Sequence, residues 1–151
     1  MPSCAARPAP RPSRSCADGA HAPGVLAYDD GEVVGWAGIS PVAELHEYGS
    51  KRYPEADDQE RTWVLWCFRV RAGHGRKGIA TALVEAATDY ATSKGAAEVV
   101  GYPLDNDGGK VDRTLASVGT RRMFEQAGFT VDGHLDGKRD GFRQAVMRRS
   151  F

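Results

Sequence analysis

Val64-Leu65-Trp66-Cys67-Phe68-Arg69-Val70 leads through Arg71-Ala72 into Gly73-His74-Gly75-Arg76-Lys77-Gly78-Ile79-Ala80. An apolar strand passes into a loop with three glycines and three potential cations, and a helix begins directly after it. Glycine lets backbone N–H groups come close to an anion, and the amino end of a helix aims partial positive charge at the same point. Arg76 and Lys77 add full charges. The layout predicts a site for a phosphorylated, nucleotide-like ligand.

Outward from this stretch, Thr62 to Val70 is apolar on both alternating faces, which places it in the middle of a sheet. Gly78 to Lys94 reads as a helix: Ile79, Leu83, Ala86, Ala87 and Tyr90 recur at helical spacing, and Gly95 supplies the stop. Glu98 to Pro103 is the next strand, ended by proline. These three elements form one βαβ unit. Upstream, Val25–Tyr28 and Val33–Ile39 flank Asp29-Asp30-Gly31, a hairpin signal. Ser40-Pro41 reads as the cap and first position of a short helix carrying Val42, Leu45 and Tyr48. Downstream, Ser117 or Thr120 caps a second helix to Gln126, closed by Gly128. Phe129–Val131 and Phe142–Met147 pair last. The sum is a mixed α/β sheet with helices on its faces.

At 151 residues the chain is about one domain, with residues 1–23 an irregular Pro/Ala/Arg/Ser arm and 24–151 the ordered part. Lys and Arg total 20 and Asp and Glu total 20, so no bulk field draws the chain to nucleic acid or membrane. No apolar run approaches the ~20 residues of a membrane span. Three cysteines, Cys4, Cys16 and Cys67, do not make a disulfide framework, and a reduced, cytoplasmic protein is the simple reading.

Three phosphate-binding readings compete. A P-loop needs Lys and Ser or Thr after the last glycine, and Ile79-Ala80 stand there instead. Gly73-x-Gly75-x-x-Gly78 matches the dinucleotide fingerprint, but only one βαβ unit fits and no acidic residue ends a strand about 20 residues on. The third is coenzyme A. Arg76-Lys77-Gly78-Ile79-Ala80-Thr81-Ala82-Leu83, after a strand ending Phe68-Arg69-Val70, resembles the pyrophosphate-binding motif of the GNAT superfamily of acetyl-CoA-dependent N-acetyltransferases. Met123-Phe124-Glu125-Gln126-Ala127-Gly128-Phe129 resembles the segment that closes that fold. Gly101-Tyr102-Pro103 and Val118-Gly119-Thr120 look like a group of uncharacterised bacterial members.

The resemblance implies a central mixed sheet with a V-shaped split between Thr62–Val70 and Glu98–Tyr102. It implies acetyl-CoA held by Phe68, Val70, His74, Gly75, Arg76, Lys77, Gly78, Ile79, Ala80 and Phe124, with no metal. Acetyl would pass to the amine of a small molecule or peptide by direct attack, with the Val70 backbone N–H on the developing oxyanion. The family usually has Gln or Arg where Gly75 stands, and often a tyrosine, as general acid, where Phe124 stands. Its opening strand and helices read as reduced here to the arm. Family members often pair through edge strands, so a homodimer is compatible.

For the base, Tyr102 and Glu44 are candidates, with His46, Glu47 and Asp105 beside them. Each has a plainer reading: Glu44, His46 and Glu47 as a solvated helix face, Tyr102 as a pocket wall, Asp105 and Asp107 as turn residues. Cys67, Trp36, Trp63 and Trp66 read as core, with pocket lining a second reading for Trp36 and Tyr48, and Arg121 and Arg122 read as surface charge, with the 3′-phosphate of the cofactor or an acidic acceptor as the alternative. A non-catalytic acyl-CoA-binding module is the alternative function.

Overall fold

The computed structural model describes residues 5–8, 21–45, 55–75, 78–106, 116–139 and 141–151. Cys4, Cys16, His46, Glu47, Tyr48, Arg76, Lys77 and Asp107 lie outside the described residues. The elements run β1 (Ala5–Pro8), β2 (Gly24–Asp29), β3 (Glu32–Pro41), a 3-10 turn (Val42–Glu44), β4 (Thr62–Val70), α1 (Ile79–Ser93), β5 (Glu98–Gly101), β6 (Leu104–Asp105), a second 3-10 turn (Ala116–Val118), α2 (Arg121–Gln126), β7 (Thr130–His134) and β8 (Arg143–Ser150). They form a mixed sheet in the order β1-β2-β3-β4-β5-β8-β6, with β7 also on β8. Among the described strands only β4 and β5 pair in parallel, as a strand–helix–strand unit requires.

Local chemistry accounts for most boundaries. Asp30 (φ 51°) and Gly31 (φ 79°) both take positive φ between paired Asp29 and Glu32, the backbone of a two-residue hairpin. Gly95 (φ 91°) ends α1 as a left-handed C′ residue. Thr120 (φ −116°, ψ 155°) leads into α2 as its N-cap. The apolar stripe of α1, Ile79, Leu83, Val84, Ala87 and Ala91, packs on Val25, Ala37, Ile39, Trp63 and Leu65 from β2, β3 and β4. Each large side chain buried there contributes about 1.5–3 kcal/mol. A smaller cluster, Val42, Val64, Val100, Tyr102, Leu135 and Val146, covers the opposite face of the sheet.

Two expectations need correction. Residues 1–23 are not irregular throughout, because Ala5–Pro8 pairs antiparallel with Val25–Tyr28 of β2. Ala-Ala-Arg-Pro has no apolar alternation, so its strand is made by the open edge of β2 and not by its own pattern. Ser40-Pro41 does not open a helix. Both residues pair with Val64 and Trp63 of β4, and a 3-10 turn, Val42–Glu44, follows among the described residues. Cross-strand pairing outweighs the local capping preference.

Candidate functional site

The sheet parts at its centre. β4 and β5 pair through Thr62↔Glu98, Trp63↔Val99, Val64↔Val100 and Leu65↔Gly101, and then β5 ends while β4 continues to Val70. A β-bulge sits at the same level. Gly38 pairs with Cys67 and its neighbour Ile39 with Leu65, so Trp66 is an extra residue in β4. A bulge bends its strand and re-aims the side chains beyond it. Trp63 and Leu65 face the α1 side, and past the bulge Phe68 faces that side too, where strict alternation would have put Cys67.

The backbone beyond the bulge follows. The Arg71 N–H donates to the Val34 carbonyl of β3 at 2.8 Å. Antiparallel strands alternate, so Arg69 also turns its N–H toward β3, while Phe68 and Val70 turn theirs toward the gap left by β5. Among the described residues no strand pairs with that edge beyond Leu65. An edge of this kind accepts strand-like bonds from an extended ligand.

The floor of the gap is aromatic. Phe124 of α2 is fully buried and meets Phe68 edge-on, with ring centroids 5.9 Å apart, and Phe129 at 5.1 Å. Gly101 has no side chain where the Phe124 ring lies, and a Cβ there would come 2.1 Å from Phe124 Cε1. Phe124, expected as a cofactor-binding side chain, is therefore corrected to a core residue that closes the base of the gap. It presents no surface to a ligand, because Phe68, Phe129 and β5 enclose it.

At the mouth of the gap the chain turns through Gly73 (φ 85°) and Gly78 (φ 73°) into α1. Gly78 is the N-cap and supplies no side-chain cap, and the first helical bond runs from the Ala82 N–H to the Gly78 carbonyl at 3.0 Å. The N–H groups of Ile79, Ala80 and Thr81 thus have no carbonyl partner within the helix. A Cβ on Gly78 or on Gly73 would meet nothing within 4 Å, so the approach is open. His74 holds a turn through its N–H to the Arg71 carbonyl at 3.1 Å, and its Nδ1 is buried with no hydrogen-bond partner among the described residues. An uncapped helix end and an orphaned ring nitrogen suit a bound anion, so these residues fit the diphosphate that the motif implies. Ile79 lends its backbone only, since its side chain lies in the core.

The base candidates fare differently. Glu44 is corrected. β3 runs antiparallel to β4, with Gly35 beside Val70 and Pro41 beside Trp63, so Glu44 lies at the closed end of the split. Seven residues of β4 separate the two ends, about 23 Å at ~3.3 Å per residue. Glu44 Oε1 instead meets His21 Nδ1 at 2.9 Å, and the His21 ring stands edge-on to Trp63 at 4.9 Å. Tyr102 is buried in the cluster opposite α1 and α2, where its carbonyl accepts from Gln144 Nε2 at 2.8 Å. Burial pushes the Cys67 thiol above its ordinary pKa, with Arg69 and Arg139 partly offsetting the shift, which suits an inert thiol and not a nucleophile.

One cluster has no counterpart in the sequence reading. Asp105 Oδ2 meets His134 Nε2 at 2.7 Å and Arg121 Nη1 at 3.2 Å, and Arg121 Nε donates to Glu125 Oε1 at 2.7 Å. His134, and after it Arg121, hold the Asp105 carboxyl below the usual range, against a smaller opposing effect of burial. Asp105 and His134 are 29 positions apart, and no spacing rule links them. The bulge at Trp66 was equally invisible, since Trp66-Cys67-Phe68 is one unbroken apolar run.

Residues 4–109 match the family model of the acetyltransferase (GNAT) family. The chain belongs to that family. No curated protein matches the sequence. Among solved structures the GNAT fold recurs at low identity. The aminoglycoside acetyltransferase AAC(6')-Ib in complex with coenzyme A superposes with a TM-score of 0.58 at 17% identity, over 84% of this chain and 65% of that one. YncA from Salmonella typhimurium, solved with its cofactor acetyl-CoA, gives 0.55 at 18% identity over 84% and 63%. The GNAT-family acetyltransferase from Streptococcus pneumoniae gives 0.55 at 13% identity over 85% and 66%. This GNAT chain therefore spans about two thirds of the length of these proteins. No helix among its described residues is long and apolar enough to cross a membrane.

Proposed function

We propose that this GNAT protein transfers the acetyl group of acetyl-CoA to a primary amine by direct attack in a ternary complex. The observation that carries the reading is the edge of β4 at Phe68 and Val70, which no strand pairs among the described residues, lying beside a helix end with no side-chain cap. Acetyl-CoA, as co-substrate, supplies a thioester. The N–H groups of Ile79 and Ala80, with Arg76, Lys77 and His74, hold its diphosphate. The pantetheine arm lies along Phe68 and Val70 as an added strand. The Val70 N–H donates to the thioester oxygen as negative charge gathers there. The amine nitrogen bonds to the carbonyl carbon, the carbon–sulfur bond breaks, and the amine proton leaves through water. Phe124 has no proton to give, so the sulfur departs as a thiolate, which a thiol pKa of about 8.5 permits.

The test sets thiol release from acetyl-CoA, over a panel of amines, against thermal stabilisation by CoA. A ligand at 100 times its Kd stabilises by about 2.7 kcal/mol. For a chain of this size that corresponds to a rise of roughly 5–10 °C in Tm. Stabilisation with turnover is the expected result. Stabilisation without turnover on any amine makes the protein an acyl-CoA-binding module. No stabilisation by millimolar CoA removes both readings.

A further inference from the structure

The face of the sheet opposite α1 and α2 carries a second set of groups at the level of the gap. Gly38 would place a Cβ 2.6 Å from Trp66 and 2.9 Å from Trp36, so this glycine keeps room for two indoles on that face. The rings meet edge to face, with centroids 5.2 Å apart and planes at 75°, and Trp66 is 38% exposed. An indole pair left partly open to water is a surface on which a flat apolar group gains contact area.

Arg69 stands beside this floor. It pairs with Trp36 across β3 and β4, and it lies between Phe68 and Val70, whose side chains turn to the α1 side. Its guanidinium is exposed and forms no ion pair among the described residues. Trp36, Arg69 and Val70 line one cavity of about 240 Å³ with Val33, Val34 and Gly35. Arg71, just past the end of β4 and lining the same cavity, is paired with Glu32 at 3.3 Å. The cavity thus sets a cation with no ion pair among the described residues beside an indole, over the seam of β3 and β4 and next to Val70. A polycationic amine would meet like charge here, and a polar neutral one would leave the guanidinium without a partner.

We propose that the acceptor of this GNAT protein carries an anionic group, carboxylate or phosphate, bound by Arg69, with its apolar body on Trp36 and Trp66. The proposal rests on the acetyl-transfer reading for the identity of the site's occupant. Its test does not need turnover. N-acetyl-L-tryptophan and N-acetyl-L-tryptophanamide, which differ only in the charge of the carboxyl group, are titrated into the full chain with saturating CoA. The acid binds about tenfold more tightly, near 1.4 kcal/mol. Arg69→Gln brings the ratio close to one and Arg69→Lys restores part of it. Trp36→Ala weakens both ligands alike. An O-phosphoserine derivative tested against its serine parent separates phosphate from carboxylate as the preferred anion.

Equal binding of acid and amide by the wild type overturns the proposal. So does tighter binding of kanamycin or spermine than of the acid. So does an Arg69→Gln variant that loses CoA affinity and keeps the acid preference, because Arg69 would then serve the cofactor phosphates. Acid preference through Arg69 with no thiol release from any amine overturns the transferase reading and leaves the anion subsite standing.

Discussion

Replacing Gly101 by alanine tests the geometry that creates the gap. The added Cβ would lie 2.1 Å from Phe124 Cε1 and 2.5 Å from Cζ. Carbon atoms rest at roughly 3.5–4.0 Å, so the ring must withdraw by about 1.4 Å or more. It has nowhere to go, since Phe68 and Phe129 pack edge-on against it and Phe124 is fully buried. Overpacking a fitted core costs about 1–3 kcal/mol, and a pinned ring puts this site at ~3 kcal/mol. With a urea m-value of about 2 kcal/mol per molar, the midpoint falls by roughly 1.5 M at unchanged m. Pairing Gly101→Ala with Phe124→Leu removes the clash, and the double variant then costs less than the sum of the two single variants by ~1 kcal/mol or more. A Gly101→Ala protein within about 0.5 kcal/mol of wild type, or strict additivity in the double variant, would refute the placement of the ring over β5.

Other outcomes follow from the same structure. Gly78→Val puts a β-branched residue at φ 73°, a left-handed position costing about 1–2 kcal/mol, and narrows an approach now open. Stabilisation by CoA disappears while far-UV circular dichroism stays native; unchanged CoA affinity would place the phosphates elsewhere. Arg148 ties three strands through Glu98 and Asp132, each at 2.6 Å. Arg148→Met costs about 1 kcal/mol, a fall of ~2–4 °C in Tm read by calorimetry. Asp105→Asn is less stable than wild type at neutral pH. The Asp105 pKa is lowered on folding, so its contribution is present above the unfolded value and is lost as pH falls through the folded one. The two proteins therefore converge in acid, below about pH 3.9, in denaturation curves collected across pH.

The architecture was legible wherever local chemistry and burial agree. Thr62–Val70 was read to the residue, because a strand buried on both faces needs an uninterrupted apolar run. α1 was read to within a residue at each end, because Gly78 and Gly95 mark its limits. Ala5–Pro8 and Ser40-Pro41 were misread because their conformation comes from a neighbouring strand and not from their own residues. Glu44 was misplaced for a related reason. A carboxylate after a strand belongs to whichever end of the sheet that strand reaches, and the antiparallel course of β3 carries it away from Val70.

The order of residues alone determined that an apolar strand meets a glycine-bearing loop and a helix, since φ preferences and apolar spacing act within a few residues. Tertiary structure decided that the strand stands away from its neighbour. The bulge at Trp66 exists only against β3, and the base of the gap is closed only because Phe124 of a distant helix lies over Gly101. Asp105 and His134, and Trp36 and Arg69, likewise became neighbours by folding, because a pairing across strands depends on register, which no short stretch of sequence carries.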